Sequence, residues 1–228
     1  MRLKRYERNG ASISGADQEE LKKKKVCIIG CGGLGGYIAE MLLRVGVLQI
    51  TLIDPDVFDE TNLNRQLFST EMGLGKPKVN EAKKRLLSVD KSAEIRALQE
   101  KLDEANARNL LEGHDVVVDA LDNLTARRIA AGVCRELKIP FVHGAIGGWY
   151  GQVSVIMPQG GYSFEELYQD ISDNDVDKSI GNLPFVAGYA ACIQCCETVK
   201  LLLGKEPNLQ GSVVRFDLLS SELDVFGF

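Results

Sequence analysis

Gly30, Gly32 and Gly35 follow one another in a Gly-x-Gly-x-x-Gly spacing, and Asp54 comes about two dozen residues later. Glycines so spaced permit a tight turn and let backbone N–H groups approach a phosphate, to which a helix N-terminus adds its dipole. A carboxylate at the Asp54 position can accept hydrogen bonds from ribose hydroxyls. The competing explanation is that the glycines only let a helix pack closely on a strand. Taken alone, this set suits a nicotinamide dinucleotide. The next segment argues for a different ligand. Asn62-Leu63-Asn64-Arg65-Gln66 and Lys76-Pro77-Lys78 follow, and Arg65 as a fork and Lys78 as a point charge could clamp phosphate oxygens. Such cations suit a triphosphate under attack better than a dinucleotide. Asp122, in Asp119-Ala120-Leu121-Asp122-Asn123, could hold Mg, which takes one or two carboxylates plus phosphate oxygens. Asp122 could equally cap a helix ahead of Thr125, and the two roles are compatible.

These residues need a scaffold, and the flanking pattern supplies one. Val26-Cys27-Ile28-Ile29 is a short continuous apolar run, as a strand buried on both faces requires. A helix, Tyr37 to Arg44, and a second strand, Gln49 to Asp54, complete a strand–loop–helix–strand unit. Helices are predicted at Lys78 to Leu87, Asp103 to Leu111 (with Asp103 as cap) and Asn123 to Leu137. Strands are predicted at Glu94 to Leu98, Asp115 to Ala120 and Pro140 to His143. This alternation implies a parallel sheet covered on both sides. Gly151 to Met157 and Ser212 to Leu218 instead alternate at period two and read as antiparallel additions. A long helix, Pro184 to Leu203, lies between them with Gly204 as its stop. The expected class is α/β: a Rossmann-like, mostly parallel sheet with helices on both faces and antiparallel strands in the C-terminal part. We read one unit: a helical arm over 1–25, a nucleotide-binding core over 26–157, an acidic crossover loop over 158–182, and a long helix with C-terminal strands over 183–228.

Lys plus Arg number 27 and Asp plus Glu 32. The net charge of −5 disfavours a nonspecific nucleic-acid binder, whose surface would be basic. Apolar residues at 45% and charged residues at 26% exclude a largely disordered chain. Six cysteines in 228 residues are no disulfide scaffold and suit a reducing cytosol, so a cytoplasmic protein is expected. No signal-peptide pattern is visible at the start. Two stretches without acidic or basic residues, Ile139 to Phe164 and Ser179 to Cys196, are read as buried core; their glycine and proline argue against membrane helices. Lys22 to Lys25 read as a solvated helix end. His114 and His143 are the two histidines, and both are expected to be structural.

The spaced motifs resemble those of the ThiF/MoeB/HesA family, bacterial relatives of the ubiquitin-activating enzymes. Arg5-Tyr6-Glu7-Arg8, the glycine loop, Asp54-x-Asp56, Asn62 to Gln66, Gly75 to Lys78, Asp119 to Asn123 and Gly151-Gln152-Val153 match in order. The likeness runs from about residue 5 to about 157 and resumes in the long helix. It implies a Mg-ATP-dependent adenylyltransferase that activates the C-terminal glycine of a small ubiquitin-like sulfur carrier (ThiS- or MoaD-like, with a Gly-Gly tail) and releases pyrophosphate. By position it implies that Gly30, Gly32 and Gly33 line the nucleotide, Asp54 holds the ribose with Asp56 beside it, Asn62, Arg65, Gln66 and Lys78 hold the phosphates, and Asp122 serves the metal. It also implies a homodimer in which Arg8 reaches the partner's ATP. No general base is required, because a C-terminal carboxylate is already ionised at neutral pH.

The chain departs from the family in its cysteines. Many members hold zinc with two Cys-x-x-Cys pairs, but the expected positions read Gly160 to Phe164 and Asp224 to Phe228. The remaining pair, Cys192 and Cys195 with Cys196, falls inside the long helix, with all three thiols on one face and packed in the core; no zinc is expected. The crossover loop lacks the cysteine some relatives use for sulfur, so a separate sulfur donor is expected. Its acidic residues Glu165, Glu166, Asp170, Asp173, Asp175 and Asp177 are solvated or form a lid over the carrier's tail. Cys31 fits a crowded turn; alternatively the helix N-terminus lowers its pKa and makes it reactive. Competing functions are adenylation of another substrate such as a tRNA base, a nicotinamide-dependent oxidoreductase, and a non-catalytic nucleotide-binding module.

Overall fold

The computed structural model describes residues 4–160, 162–169, 171–173 and 178–228. The apolar runs become strands β1 (Lys25–Ile29), β2 (Gln49–Ile53), β3 (Glu94–Leu98) and β4 (Val116–Asp119), followed by β5 (Phe141–Gly147), β6 (Tyr150–Ile156), β7 (Ser212–Asp217) and β8 (Glu222–Gly227). They form one eight-stranded sheet in the order β3-β2-β1-β4-β5-β6-β7-β8. The first five strands in that order pair in parallel, and β6, β7 and β8 are added antiparallel. From β1 the chain first builds outward to β2 and β3, then returns to place β4 on the other side of β1. Ile29 lies level with Ile53 on one side and with Asp119 on the other. The carboxyl ends of β1, β2 and β4 therefore open together at the point where the strand order reverses, the usual ligand crevice of such sheets.

Helices cover both faces. α2 (Gly33–Val45), α3 (Lys78–Val89) and α7 (Pro184–Leu202) bury Ile38, Leu42, Val79, Leu86, Val186 and Ala190 against one face. α4 (Ala107–Leu111), α5 (Leu124–Leu137) and the single turn α6 (Phe164–Leu167) bury Leu111, Ala130 and Phe164 against the other. α7 is long and apolar enough to cross a membrane, yet Val186, Ala187, Ala190 and Ala191 are fully buried between α2 and the sheet. Gly204, at φ +64°, follows its end. The N-terminal arm is a 3-10 helix (Lys4–Asn9) and α1 (Gly15–Leu21). Lys22, Lys23 and Lys24 form surface ion pairs with Glu19, Glu20 and Asp115.

Several expectations are corrected. The helix expected from Asp103 begins at Ala107; Asp103 instead accepts bonds from the N–H groups of Ala105 and Asn106 in the preceding turn. The strand expected to stop at His143 continues to Gly147, because β6 hydrogen-bonds along its whole length. Of the three α7 thiols only Cys195 is buried, while Cys192 and Cys196 are exposed, with Cys192 Sγ 3.7 Å from Met41 Sδ. An i, i+3, i+4 triplet spans about 100° of the helix surface, and Cys195, at one edge of that arc, points inward. The uncharged stretches are only partly core, since Trp149, Tyr150, Phe185 and Tyr189 are exposed.

Candidate functional site

A cleft of roughly 490 Å3 opens at the carboxyl ends of β1, β2 and β4. The first turns of α2, α3 and α5 converge on it, so three helix dipoles favour an anion there. Gly30, Gly32, Gly33, Asp54, Asp56, Arg65, Gln66, Lys78 and Asp122 all line the cleft. Gly30 has φ +98°, and a Cβ there would stand 2.4 Å from the Ala120 carbonyl oxygen, so only glycine makes this turn. Beyond Gly32 a Cβ would meet nothing nearer than Gln66 Nε2 at 3.6 Å. A Cβ at Gly32 would thus touch Gln66 and fill the gap between it and the loop.

Asp54 is buried at the tip of β2. Its Oδ2 accepts from the Cys31 N–H (2.7 Å) and its Oδ1 from the Asp56 N–H (2.8 Å), which ties the glycine loop to the chain leaving β2. A carboxylate has about four lone-pair sites, so each oxygen keeps capacity for a ribose hydroxyl. Burial raises the Asp54 pKa, and the two N–H bonds and nearby Lys78 pull it back. Lys78 is the first residue of α3, buried, with Nζ 2.9 Å from Asp56 Oδ2. Arg65 Nη1 donates to the Thr61 carbonyl and to Asn64 Oδ1, both at 2.9 Å. Gln66 is buried, and its Oε1 has no hydrogen-bond partner. A buried orphan acceptor costs free energy unless a ligand or water satisfies it. That atom, facing the bare Gly32 backbone, is the feature that fits a nucleotide.

The remaining sequence-derived residues are placed differently. Asn62 does not line the cleft: its Oδ1 accepts from the Asp59 N–H and its Nδ2 donates to Asp59 Oδ2, bracing a 3-10 turn. Asp122 is not the cap of α5. Asn123 is, accepting from the Ala126 N–H at 2.8 Å, and Asp122 is exposed, its one side-chain partner among the described residues being the Asn123 amide at 3.3 Å. Arg8 is exposed in the N-terminal arm. Tyr6 packs there beside Gly46, at the end of α2 remote from the glycine loop. α2 is 13 residues long, or about 20 Å at the helical rise, so Arg8 does not reach the cleft of its own chain. The reactive alternative for Cys31 is overturned: burial, with Asp54 beside it, pushes its thiol pKa well up. Among the described residues, no three His, Cys, Asp or Glu side chains are grouped to hold a metal ion.

The cleft also contains residues that sequence reasoning missed. Glu100, Lys101 and Leu102 enter after β3, and Ile146 and Asn182 close the far side. Only the parallel β2–β3 register brings the first three to the cleft. In the acidic loop, Glu166 caps α6 with Ser163, and Asp173 accepts from the N–H groups of Leu124 (2.5 Å) and Thr125 (3.1 Å) at the start of α5. Asp170, Asp175 and Asp177 lie outside the described residues.

Both histidines are hydrogen-bonded within the protein. His114 lies against the Leu111 carbonyl and Thr51 Oγ1, and His143 against Asp119 Oδ2 and the Tyr168 hydroxyl. Burial lowers the pKa of each. With folded pKa below the unfolded value, the unfolded chain binds more protons below about pH 6.5, and stability falls as pH drops through that region. Urea midpoints are expected to decline from pH 7.5 to 5.5, each fully shifted histidine contributing up to ~1.4 kcal/mol per pH unit. His114→Gln should make the decline shallower; an unchanged slope would show that His114 titrates normally.

The model of the ThiF family matches residues 6–227. The molybdopterin-synthase adenylyltransferase of Haemophilus influenzae is 32% identical over 220 residues, covering 93% of this chain and 88% of that protein. The SAMP-activating enzyme E1 of Haloferax volcanii is 32% identical over 208 residues, covering 89% and 76%. A probable molybdopterin-synthase adenylyltransferase of Porphyra purpurea is 29% identical over 213 residues, but this chain spans only 56% of its length. The crystal structure of E. coli MccB with ATP shares the fold with a TM-score of 0.87 at 20% identity, covering 99% of this chain and 72% of that one.

Proposed function

The chain belongs to the ThiF family, and from that premise we propose that it is an ATP-dependent adenylyltransferase acting on the C-terminal glycine of a small ubiquitin-like sulfur carrier. The observation that carries the reading is the convergence of the glycine turn, Asp54, the orphan acceptor of Gln66, Arg65, Lys78 and Asp122 on one cleft. A nicotinamide oxidoreductase would share the first two and leave the last three unexplained. The names of the Haemophilus and Haloferax relatives support adenylation and a carrier partner.

In the proposed reaction, a carboxylate oxygen of the carrier's terminal glycine attacks the α-phosphorus of ATP. The bond to the bridging oxygen breaks, and pyrophosphate leaves with that electron pair. The products are an acyl-adenylate and pyrophosphate, with no proton to transfer. Two anions meet, so the residues chiefly position them and offset charge. The glycine loop and the α2 N-terminus cradle phosphate, Asp54 holds the ribose, and Arg65 and Lys78 stabilise charge on the triphosphate. Mg, when bound, neutralises phosphate charge, and Asp122 would be its protein ligand.

A homodimer is part of the proposal. Arg8 cannot serve its own cleft, and Leu67, Trp149, Phe185 and Tyr189 are exposed. They share one side of the molecule: Trp149 packs on Phe185 at 5.1 Å, and Leu67 lies beside Gly36 of α2, as Gly188 of α7 lies beside Tyr37. An apolar surface next to the cleft suits a second copy that delivers its Arg8. The six unpaired thiols support a reducing, cytoplasmic setting, and sulfur delivery would fall to a separate protein.

Thermal unfolding with Mg-ATP, and in parallel with NAD, tests the nucleotide class. A ligand at 100 times its Kd adds about 2.7 kcal/mol, which raises Tm by roughly 5–10 °C in a chain of this size. Mg-ATP is expected to give that shift and NAD none. Stabilisation by NAD alone would overturn the reading.

A further inference from the structure

One buried cluster is unused by the proposed reaction. Asp119, at the tip of β4, is fully buried. Its Oδ1 accepts from the Leu121 N–H at 2.9 Å, and Oδ2 faces His143 Nδ1 at 2.6 Å and Arg127 Nε at 3.2 Å. Arg127 Nη2 donates to the carbonyls of Leu121 and Gly144. The residue immediately before Asp122 is thus held at both its N–H and its C=O by one buried ion pair.

The chain of contacts continues away from the cleft. His143 Nε2 lies 2.8 Å from the Tyr168 hydroxyl, which accepts from Gln152 Nε2 at 2.6 Å. A neutral imidazole that donates from Nδ1 to Asp119 can only accept at Nε2, so the Tyr168 hydroxyl donates there. Tyr168 belongs to the acidic crossover loop. Arg128, on α5, donates to the carbonyls of Tyr168 and Ile171 at 3.2 and 2.6 Å, and Asp173 sits on the first N–H groups of the same helix.

We propose that Tyr168 is a positioning residue for Asp122, acting through His143, Asp119 and the Leu121 peptide. The proposal rests on the adenylation reading for the role of Asp122, but the coupling itself does not need ATP. Without the hydroxyl, His143 Nε2 loses its buried partner and the imidazole is no longer held square to the Asp119 carboxylate. The Leu121 peptide then keeps only the Arg127 side of its clamp. Coupling is reciprocal, so occupancy of the cleft at Asp122 should in turn tighten the loop at Tyr168.

Amide hydrogen exchange on the full chain tests this without nucleotide. Tyr168→Phe keeps the ring, which packs on His143 and Phe164 with centroids at 5.4 and 4.9 Å. It should speed exchange at the Leu121 amide, which donates to Asp119 Oδ1, about tenfold, as local opening permits, while leaving β1 unchanged. Phe164→Leu is the control: it loosens the packing of the same loop but cuts no hydrogen bond, and should leave that amide unchanged. Calorimetry with Mg-ATP should show affinity lowered about three- to tenfold by Tyr168→Phe and not by Phe164→Leu, the size of a lost positioning contact. No change at Leu121 in Tyr168→Phe, or an equal change in both variants, would overturn the proposal. Failure of the unsubstituted protein to bind Mg-ATP would instead sink the adenylation reading and leave the exchange result to decide the coupling.

Discussion

Asp122→Ala is expected to abolish acyl-adenylate formation, with pyrophosphate release falling about 10²–10³-fold as for loss of one charge-stabilising group. Stability should change by less than ~0.5 kcal/mol, as for an ordinary exposed side chain. The separation follows from the structure: Asn123 caps α5, and among the described residues Asp122 hydrogen-bonds only with the Asn123 amide. Turnover at the normal rate would remove Asp122 from the reaction. The same variant tests the dimer. In a mixed dimer of Asp122→Ala and Arg8→Ala subunits, one cleft combines an intact Asp122 with the partner's intact Arg8. Equal mixing with free subunit exchange should restore about a quarter of the sites, given one shared two-fold interface. No restoration would confine Arg8 to a role within its own subunit, which its place beyond the far end of α2 makes hard to build.

How far the sequence reveals this site depends on how local each signal is. The glycine turn, Asp54 and Lys78 are legible because each is joined to its own strand or helix end, and strand–loop–helix units repeat a pattern within about 30 residues. Asn62 shows the limit. Its position in the motif suggested phosphate, but its amide is satisfied three residues away by Asp59, a choice between two polar partners that spacing does not settle. Asp122 and Asn123 are both good caps, and only the geometry assigns the cap to Asn123. Lys101 and Leu102 stayed hidden because they reach the cleft through sheet order. The Asp119–His143–Tyr168 chain was hidden more deeply. Its members come from β4, β5 and the turn after α6, and histidine was read simply as structural. That reading survives, yet a structural histidine between a buried carboxylate and a loop tyrosine also carries position from one segment to another.

The glycine loop offers the largest effect on stability. Gly35 lies in the first turn of α2, and a Cβ there would stand 1.9 Å from the Gly30 carbonyl oxygen and 3.3 Å from Ala120 Cβ. No rotamer relieves such a clash, because the obstacle is backbone. Gly30 cannot retreat either: its N–H donates to the Ile53 carbonyl at 2.7 Å, and its φ of +98° holds the turn against Ala120. Gly35→Ala must therefore push α2 off β1, opening the core at Ile38 and Leu42. A loss of more than ~3 kcal/mol is expected, above the usual range for overpacking, and Mg-ATP binding should go with it. Gly132 in α5 gives the opposite sign from the same substitution. Nothing stands within 4 Å of a Cβ there, so Gly132→Ala should stabilise by about 0.5–1 kcal/mol through helix propensity. Urea unfolding of both variants checks the pair. If Gly35→Ala melted like the parent, the close approach of α2 to the β1 turn would be wrong, and with it the anion cradle on which the proposed adenylation depends.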